Sequence, residues 1–167
     1  RSMNRFYKVE DYLEQIEKIN EIFNKPFLGS DIITGFAGET NEDFEITRQN
    51  LENSGLTQIH TFPYSLRAGT AGAKSPEQVD EKTKEMRAEI VKKISAKKLE
   101  EFIKNNINCE HEILIEKRPD KKTGLLKGMT RNYLTVITNS KDIKLFNTLA
   151  KVRIKRFENG KIFGELV

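Results

Sequence analysis

Asp31–Phe44 reads DIITGFAGETNEDF, and the parsing of this stretch decides the fold. A short apolar run, Ile32-Ile33, stops at Gly35. Gly38 marks a turn, and Thr40 opens a helix with Asp43 three residues on. A hydroxyl and a carboxylate at that spacing satisfy the orphan N–H groups of a helix start reciprocally, as a capping box. The stretch is therefore a strand, a tight loop and a helix. Loops of that kind form ligand sites at the carboxyl ends of parallel strands, and they also serve as plain connections.

Working outward, Tyr12, Leu13, Ile16, Ile19 and Phe23 recur at helical spacing, with Glu10, Glu14, Glu17, Lys18 and Glu21 off that face. Lys25-Pro26 should end this helix, because proline pushes the preceding residue out of the helical region. After the central stretch, Phe44, Thr47 and Leu51 face inward and Ser54-Gly55 reads as a glycine C-cap. Gln58–Pro63 (QIHTFP) is a second strand, running into Tyr64-Ser65-Leu66-Arg67-Ala68-Gly69-Thr70. Ser75 as N-cap, Pro76 at the first helical position and Gln78 beyond predict a long helix to about Asn105. Its buried stripe is expected at Val79, Thr83, Met86, Ile90 and Ile94. An α-β-α-β-α order implies a parallel sheet with helical cover.

The pattern changes after Asn108. Residues 110–117, 125–130, 132–138, 149–157 and 161–166 are short and rich in β-branched residues. Turn signals separate them at Pro119-Asp120, Thr123-Gly124, Asn139-Ser140 and Asn159-Gly160. Five short strands predict a small OB-like barrel of the kind that binds oligonucleotides. The expected layout is α/β over residues 1–107 and all-β over 108–167, with the long helix as the hinge.

Bulk properties narrow the function. Apolar content of 37% is low and charged content of 32% is high. No apolar run approaches a membrane span and no signal-peptide pattern opens the chain, so a soluble cytoplasmic protein is expected. The single Cys109 excludes an internal disulfide and a cysteine-built zinc or iron–sulfur site. Residues 1–107 carry 16 Lys+Arg against 18 Asp+Glu, whereas residues 108–167 carry 13 against 7. A basic C-terminal module suggests nucleic acid as partner.

His60 alternates with Ile59 and Phe62 in a strand, where a lone histidine is more often packed than catalytic. His111 near Cys109 does not make a metal site. Glu39 either orients a ligand or is solvated. Arg67, leaving the second strand with Tyr64 and Ser65, either grips a phosphate or carboxylate or pairs with a helix carboxylate. In the barrel, Lys127-Gly128-Met129-Thr130-Arg131-Asn132-Tyr133 mixes cations, an amide, a hydroxyl and a ring, which suits backbone contacts and base stacking. Lys151, Arg153 and Lys155 alternate along one strand and should form a basic stripe.

Together these motifs carry a resemblance. Asp31–Thr40 resembles the DIIVGFPGET stretch of radical S-adenosylmethionine tRNA methylthiotransferases, with Ala37 where proline is usual. The MNR-Y wording before it and FPYSLRAGTAGA after it are similar to that family's flanking motifs, with Ala71-Gly72 where Pro-Ala is usual. GMTRNYLTV and KVRIKRF…GELV resemble a TRAM domain, the RNA-binding module that ends these enzymes. The likeness covers nearly the whole chain. It implies a reaction in which a [4Fe-4S] cluster cleaves S-adenosylmethionine and a methylthio group is placed on C2 of an adenosine beside the anticodon. His60–Ser65 (HTFPYS) looks most like the branch acting on threonylcarbamoyladenosine; the isopentenyladenosine branch is the alternative.

The family's C-x-x-x-C-x-x-C motif is absent, so the chain resembles the enzyme's C-terminal part: the end of a partial (β/α) radical barrel plus the TRAM domain. Alone it is expected to be inactive, its partners being tRNA and the N-terminal part of the same enzyme. Carried over, Ile33, Gly35, Gly38, Tyr64, Ser65 and Arg67 would border the cofactor or the target base. Lys127, Arg131, Asn132, Tyr133, Lys151, Arg153 and Lys155 would hold the tRNA. No catalytic and no metal-ligating residue is expected in the chain. A stand-alone RNA-binding protein, its αβ part only a scaffold, is the other class of reading.

Overall fold

The computed structural model describes Met3 and residues 5–167; Arg1, Ser2 and Asn4, with them part of the MNR wording, lie outside the described residues. The chain divides into two units, Arg1–Leu99 and Glu100–Val167. The first contains α1 (Val9–Ile22), β1 (Gly29–Thr34), α2 (Asn41–Asn53), β2 (Gln58–Pro63), α3 (Ala71–Lys74) and most of α4 (Glu81–Asn105). The division falls inside α4 rather than after residue 107. The last turn of that helix belongs with the second unit, where Ile103 is buried and Asn106 accepts from Asn132.

β1 and β2 pair in parallel from Gly29 against Gln58 to Thr34 against Pro63. One face of this ribbon is covered by the helices, through Ile16, Phe44, Leu51, Val91 and Ile94 packed with Leu56, Ile59 and Ile32. β2 also gains a side-chain partner, since the Ile59 N–H donates to Ser95 Oγ of α4 at 2.8 Å. The start of α2 is as its sequence requires. Asp43 N–H donates to Thr40 Oγ1 and Thr40 N–H to Asp43 Oδ2, both at 3.0 Å. These Thr40 bonds hold the Asp43 carboxyl below its usual range.

Three expectations are corrected. α1 ends at Ile22, before Lys25-Pro26, with Phe23 as an extended C-cap. Gly55 does not adopt a left-handed φ. It is small because a Cβ there would lie 2.4 Å from Asn20 Nδ2 and 3.3 Å from Ile16 Cγ2, so it admits α1 closely. The long helix starts at Glu81, not Pro76. Ser75 instead closes the short α3, and Gln78 donates from Nε2 to Gly72 O at 2.7 Å and Ser75 O at 2.8 Å. Asp80 takes the capping role, accepting Thr83 N–H at 2.9 Å. The inward stripe of α4 then runs through Lys84, Arg87, Ala88, Val91 and Ile94, while Met86 is 54% exposed.

The second unit is a closed five-stranded barrel in the order β3-β4-β5-β7-β6, with β3 (Glu110–Ile115), β4 (Lys127–Thr130), β5 (Thr135–Ile137), β6 (Leu149–Glu158) and β7 (Lys161–Leu166). All neighbours are antiparallel except β5 and β7. Ile113, Ile115, Val136, Val152 and Ile154 fill the interior and are fully enclosed. Asn159 and Gly160 both take positive φ, 51° and 72°, which is the backbone a two-residue hairpin turn demands.

The β3–β4 loop is held by one carboxylate. Asp120 accepts the N–H groups of Lys122 and Thr123, the Thr123 hydroxyl, and Lys161 Nζ at 2.6 Å. The Lys161 hydrogen bond, reinforced by those of Thr123, lowers its pKa from 3.8 to about 2. A depressed carboxyl contributes stability that is fully present above the unfolded value and is lost as pH falls through the folded one. Wild-type chain should therefore lose barrel stability between pH 3.8 and about 2 more steeply than Asp120→Asn, measured by denaturant titration across that window. Ile154→Ala, which empties a fully enclosed interior site, should cost roughly 2–5 kcal/mol in the same assay.

Candidate functional site

The loop after β1 is pinned by a buried ion pair. Glu39 turns back so that its Oε2 accepts Gly35 N–H at 2.7 Å and Arg87 Nη1 at 2.6 Å. Arg87 also donates to Glu39 O at 3.1 Å and to Asn41 Oδ1 at 2.9 Å, and its guanidinium lies 5.3 Å from the Phe44 ring centroid. Arg87 is 3% exposed and Glu39 13%. Glu39 is thus a structural anchor of the loop. Neither reading of it from sequence named Arg87.

Gly35 sits at φ +70°, and a Cβ on it would lie 2.3 Å from Lys84 Cγ. Lys84 is buried, reaches the exposed Glu81 at 2.8 Å, and places Nζ 5.6 Å from the Tyr64 ring centroid. Tyr64 packs edge-on against Phe36 at 4.8 Å, and its N–H donates to Thr34 O at 2.8 Å. Gly38 takes φ +85° and donates to Glu77 O at 2.8 Å. The strand ends thereby gather Gly35, Tyr64, Lys84 and Arg87. Among the described residues, Thr34 Oγ1, Thr61 Oγ1 and Arg87 Nε are buried polar atoms without a partner. Unmet hydrogen-bonding capacity of this kind in a native fold calls for a functional or solvent explanation.

The face of β1 and β2 opposite the helices is open. Asp31 stands beside His60 and Ile33 beside Phe62, and all four are exposed. His60, read from sequence as a packed strand residue, is therefore on the uncovered face. Ile33 is 41% exposed there, and Phe62 was not anticipated. Ser65 and Arg67 are exposed in the following loop, where Arg67 O accepts from Thr70. A groove of about 610 Å³ is lined by Phe36–Glu39 of the loop after β1 together with Asp43 and Ile46 of α2.

On the barrel, most of the expected RNA-binding cations are internally paired. Lys127 meets Glu116 and Arg131 meets Glu112, each at 3.1 Å. Lys155 meets Glu165 at 3.2 Å, and Arg153 pairs with Glu110. Cross-strand carboxylates thus offset the Lys151–Lys155 stripe, and among its three cations only Lys151 lacks an ion pair within the described residues. Asn132 holds the β4–β5 turn, accepting the Thr130 hydroxyl at 2.7 Å and donating to Asn106 at 3.2 Å. That turn sets Tyr133 at φ +61° with its ring exposed. A left-handed tyrosine costs on the order of 1–3 kcal/mol, and such strain clusters at binding sites. Leu149, Leu114 and Met129 form an exposed apolar row across β6, β3 and β4.

Fold and site together define a two-unit chain: a parallel αβ unit with loops gathered at its strand ends, and a small all-β barrel. No family model matches it. Over its whole length it is similar to proteins named tRNA-2-methylthio-N(6)-dimethylallyladenosine synthase. Identity is 33% over 168 residues for the protein of Opitutus terrae and 34% over 171 residues for that of Alkaliphilus oremlandii, with 100% of the chain covered in both. It is 32% over 164 residues, or 98% of the chain, for that of a Wolbachia strain. The chain spans 34%, 35% and 37% of these relatives, about a third of their length.

The signal that would have revealed Lys84 and Arg87 was their phase. They fall one helical step from Ala88, Val91 and Ile94, so two cations lie in a buried stripe. Replacing Arg87 with Met would leave the Glu39 carboxylate buried without its partner. Loss of one member of such a pair costs about 3–5 kcal/mol, whereas the double variant Glu39→Gln/Arg87→Met should recover part of it, by denaturant unfolding.

Proposed function

We propose that the chain is the C-terminal part of a radical S-adenosylmethionine tRNA methylthiotransferase, contributing a wall of the cofactor and substrate site and a TRAM-type RNA-binding barrel. The observation that carries this is the likeness, along the entire chain, to tRNA methylthio-adenosine synthases of which it spans about a third. The open face of Asp31, Ile33, His60 and Phe62 supplies an apolar wall with a few polar groups, which fits the nucleoside portion of the cofactor or a target adenine. Iron–sulfur ligation is different. Among the described residues no group of three or more His, Cys, Asp or Glu side chains could hold a metal, and Cys109 belongs to the barrel unit. In this reading the cluster is held by the rest of the enzyme, and the residues of this chain position the ligands. The cytoplasm is the compartment that fits a tRNA substrate.

Two adenosines are in contention, each on a specific observation. HTFPYS at residues 60–65 resembles the threonylcarbamoyladenosine branch, and the relatives carry the dimethylallyladenosine name. Deleting the reading frame in its host and digesting bulk tRNA to nucleosides for mass spectrometry decides between them. Loss of the 2-methylthio form of threonylcarbamoyladenosine supports the first reading, and loss of the 2-methylthio dimethylallyl nucleoside the second. Retention of both overturns the methylthiotransferase reading.

A further inference from the structure

Apart from Lys151 on β6, the cations that the barrel leaves uncompensated lie off its strands. Lys117, Arg118, Lys121 and Lys122 lie in the β3–β4 loop, Lys141 and Lys144 in the β5–β6 loop, and all six are exposed with no ion pair among the described residues. The two loops are laced together. Leu126 N–H donates to Ser140 O and Thr138 N–H to Leu126 O, both at 2.8 Å. A Cβ on Gly124 would lie 3.9 Å from Lys141 Cε.

The carboxylates that could neutralise these cations are committed elsewhere. Asp120 is consumed by Lys161 and by the backbone of its own turn. Asp142 accepts Lys144 N–H at 3.0 Å, and Glu116 pairs with Lys127. The acids fix the loops and the cations point outward. Gly124, at φ +68° and donating to Asp120 O at 2.8 Å, closes the turn and keeps the loop in one shape. A preordered basic surface loses less side-chain and loop entropy when it meets a polyanion than a floppy one does.

We infer that this two-loop cluster, and not the Lys151–Lys155 stripe, is the main phosphate-contacting surface of the barrel, its partner being the backbone of a structured RNA. The inference rests on the reading that the chain handles tRNA, and adds where the backbone lies. A lipid surface fits less well, because membrane-surface binding combines charge with an apolar keel, and Ile143 is the one large exposed aliphatic side chain in these loops. RNA phosphates require only placed cations.

The test uses the full 167-residue chain and a labelled RNA stem-loop, with affinity followed by fluorescence anisotropy from about 50 to about 200 mM salt. Each phosphate contact contributes roughly 0.7–0.9 to the slope of log affinity against log salt. The variant Lys121→Gln/Lys122→Gln/Lys141→Gln should flatten the slope by about two to three. Arg153→Gln/Lys155→Gln should change it by less than about one. An unchanged slope in the loop variant, or an equal loss in the strand variant, overturns the assignment while leaving RNA binding intact. Wild-type chain that fails to bind the stem-loop overturns the RNA reading itself. Co-sedimentation with phosphatidylserine vesicles in place of RNA binding moves the surface to a membrane and overturns the inference.

Discussion

The αβ unit depends on one buried charge being met. Arg87 projects from α4 into the protein, where an isolated guanidinium could not remain without a carboxylate and hydrogen-bond acceptors. Glu39 supplies the carboxylate, its own carbonyl and Asn41 supply acceptors, and the same carboxylate oxygen takes the N–H of Gly35. A single pair therefore fixes both ends of the loop after β1 and the start of α2 relative to α4. Gly35 follows from this arrangement, since the Lys84 stem fills the space that any larger residue would need. The loop's shape is dictated less by its glycines than by the helix beneath it.

The barrel distributes charge in the opposite way. Its interior is aliphatic and holds no ion pair among the described residues, so its carboxylates work on the outside. Glu110, Glu112, Glu116 and Glu165 sit within reach of cations on the strands and the β4–β5 turn and offset them. Asp120 and Asp142 are used by loop backbone. Lys151 on β6 aside, what is left over is positive and concentrated at one pair of loops. A net charge counted from sequence cannot show this, because it adds paired and unpaired cations alike.

Much of the architecture was legible in the sequence. The capping box at Thr40, the parallel order of two strands and the Asn-Gly hairpin are local patterns whose geometry follows from a few residues, and each was found as read. The long-helix start failed because Ser75-Pro76-Gln78 satisfies the local rule equally well when Ser75 closes one helix and Gln78 returns to its carbonyls. The phase of α4 failed because Thr83 and Met86 fit an amphipathic stripe by polarity, whereas tertiary pairing draws Lys84 and Arg87 inside. Of the residues expected to border the cofactor, Gly35 and Tyr64 lie with Lys84 at the strand ends, Ile33 is exposed on the uncovered face, and Ser65 and Arg67 are exposed in the following loop. The Lys151–Lys155 stripe was readable as alternation, but its partners lie on β3 and β7, at sequence separations no pattern spans.

One face of the β1–β2 ribbon is uncovered. Parallel strands are ordinarily covered on both faces, because their crossover helices and a second layer bury them. Here the helices cover one side only, and the other presents Ile33 and Phe62 next to Asp31 and His60. Two large apolar side chains beside an acid and an imidazole form a surface with the composition of a binding wall, apolar area with a few placed polar groups. The buried pair below it fixes the loop at its rim through Gly35. The same Arg87 that demanded Glu39 thus fixes the loop at the edge of the open face.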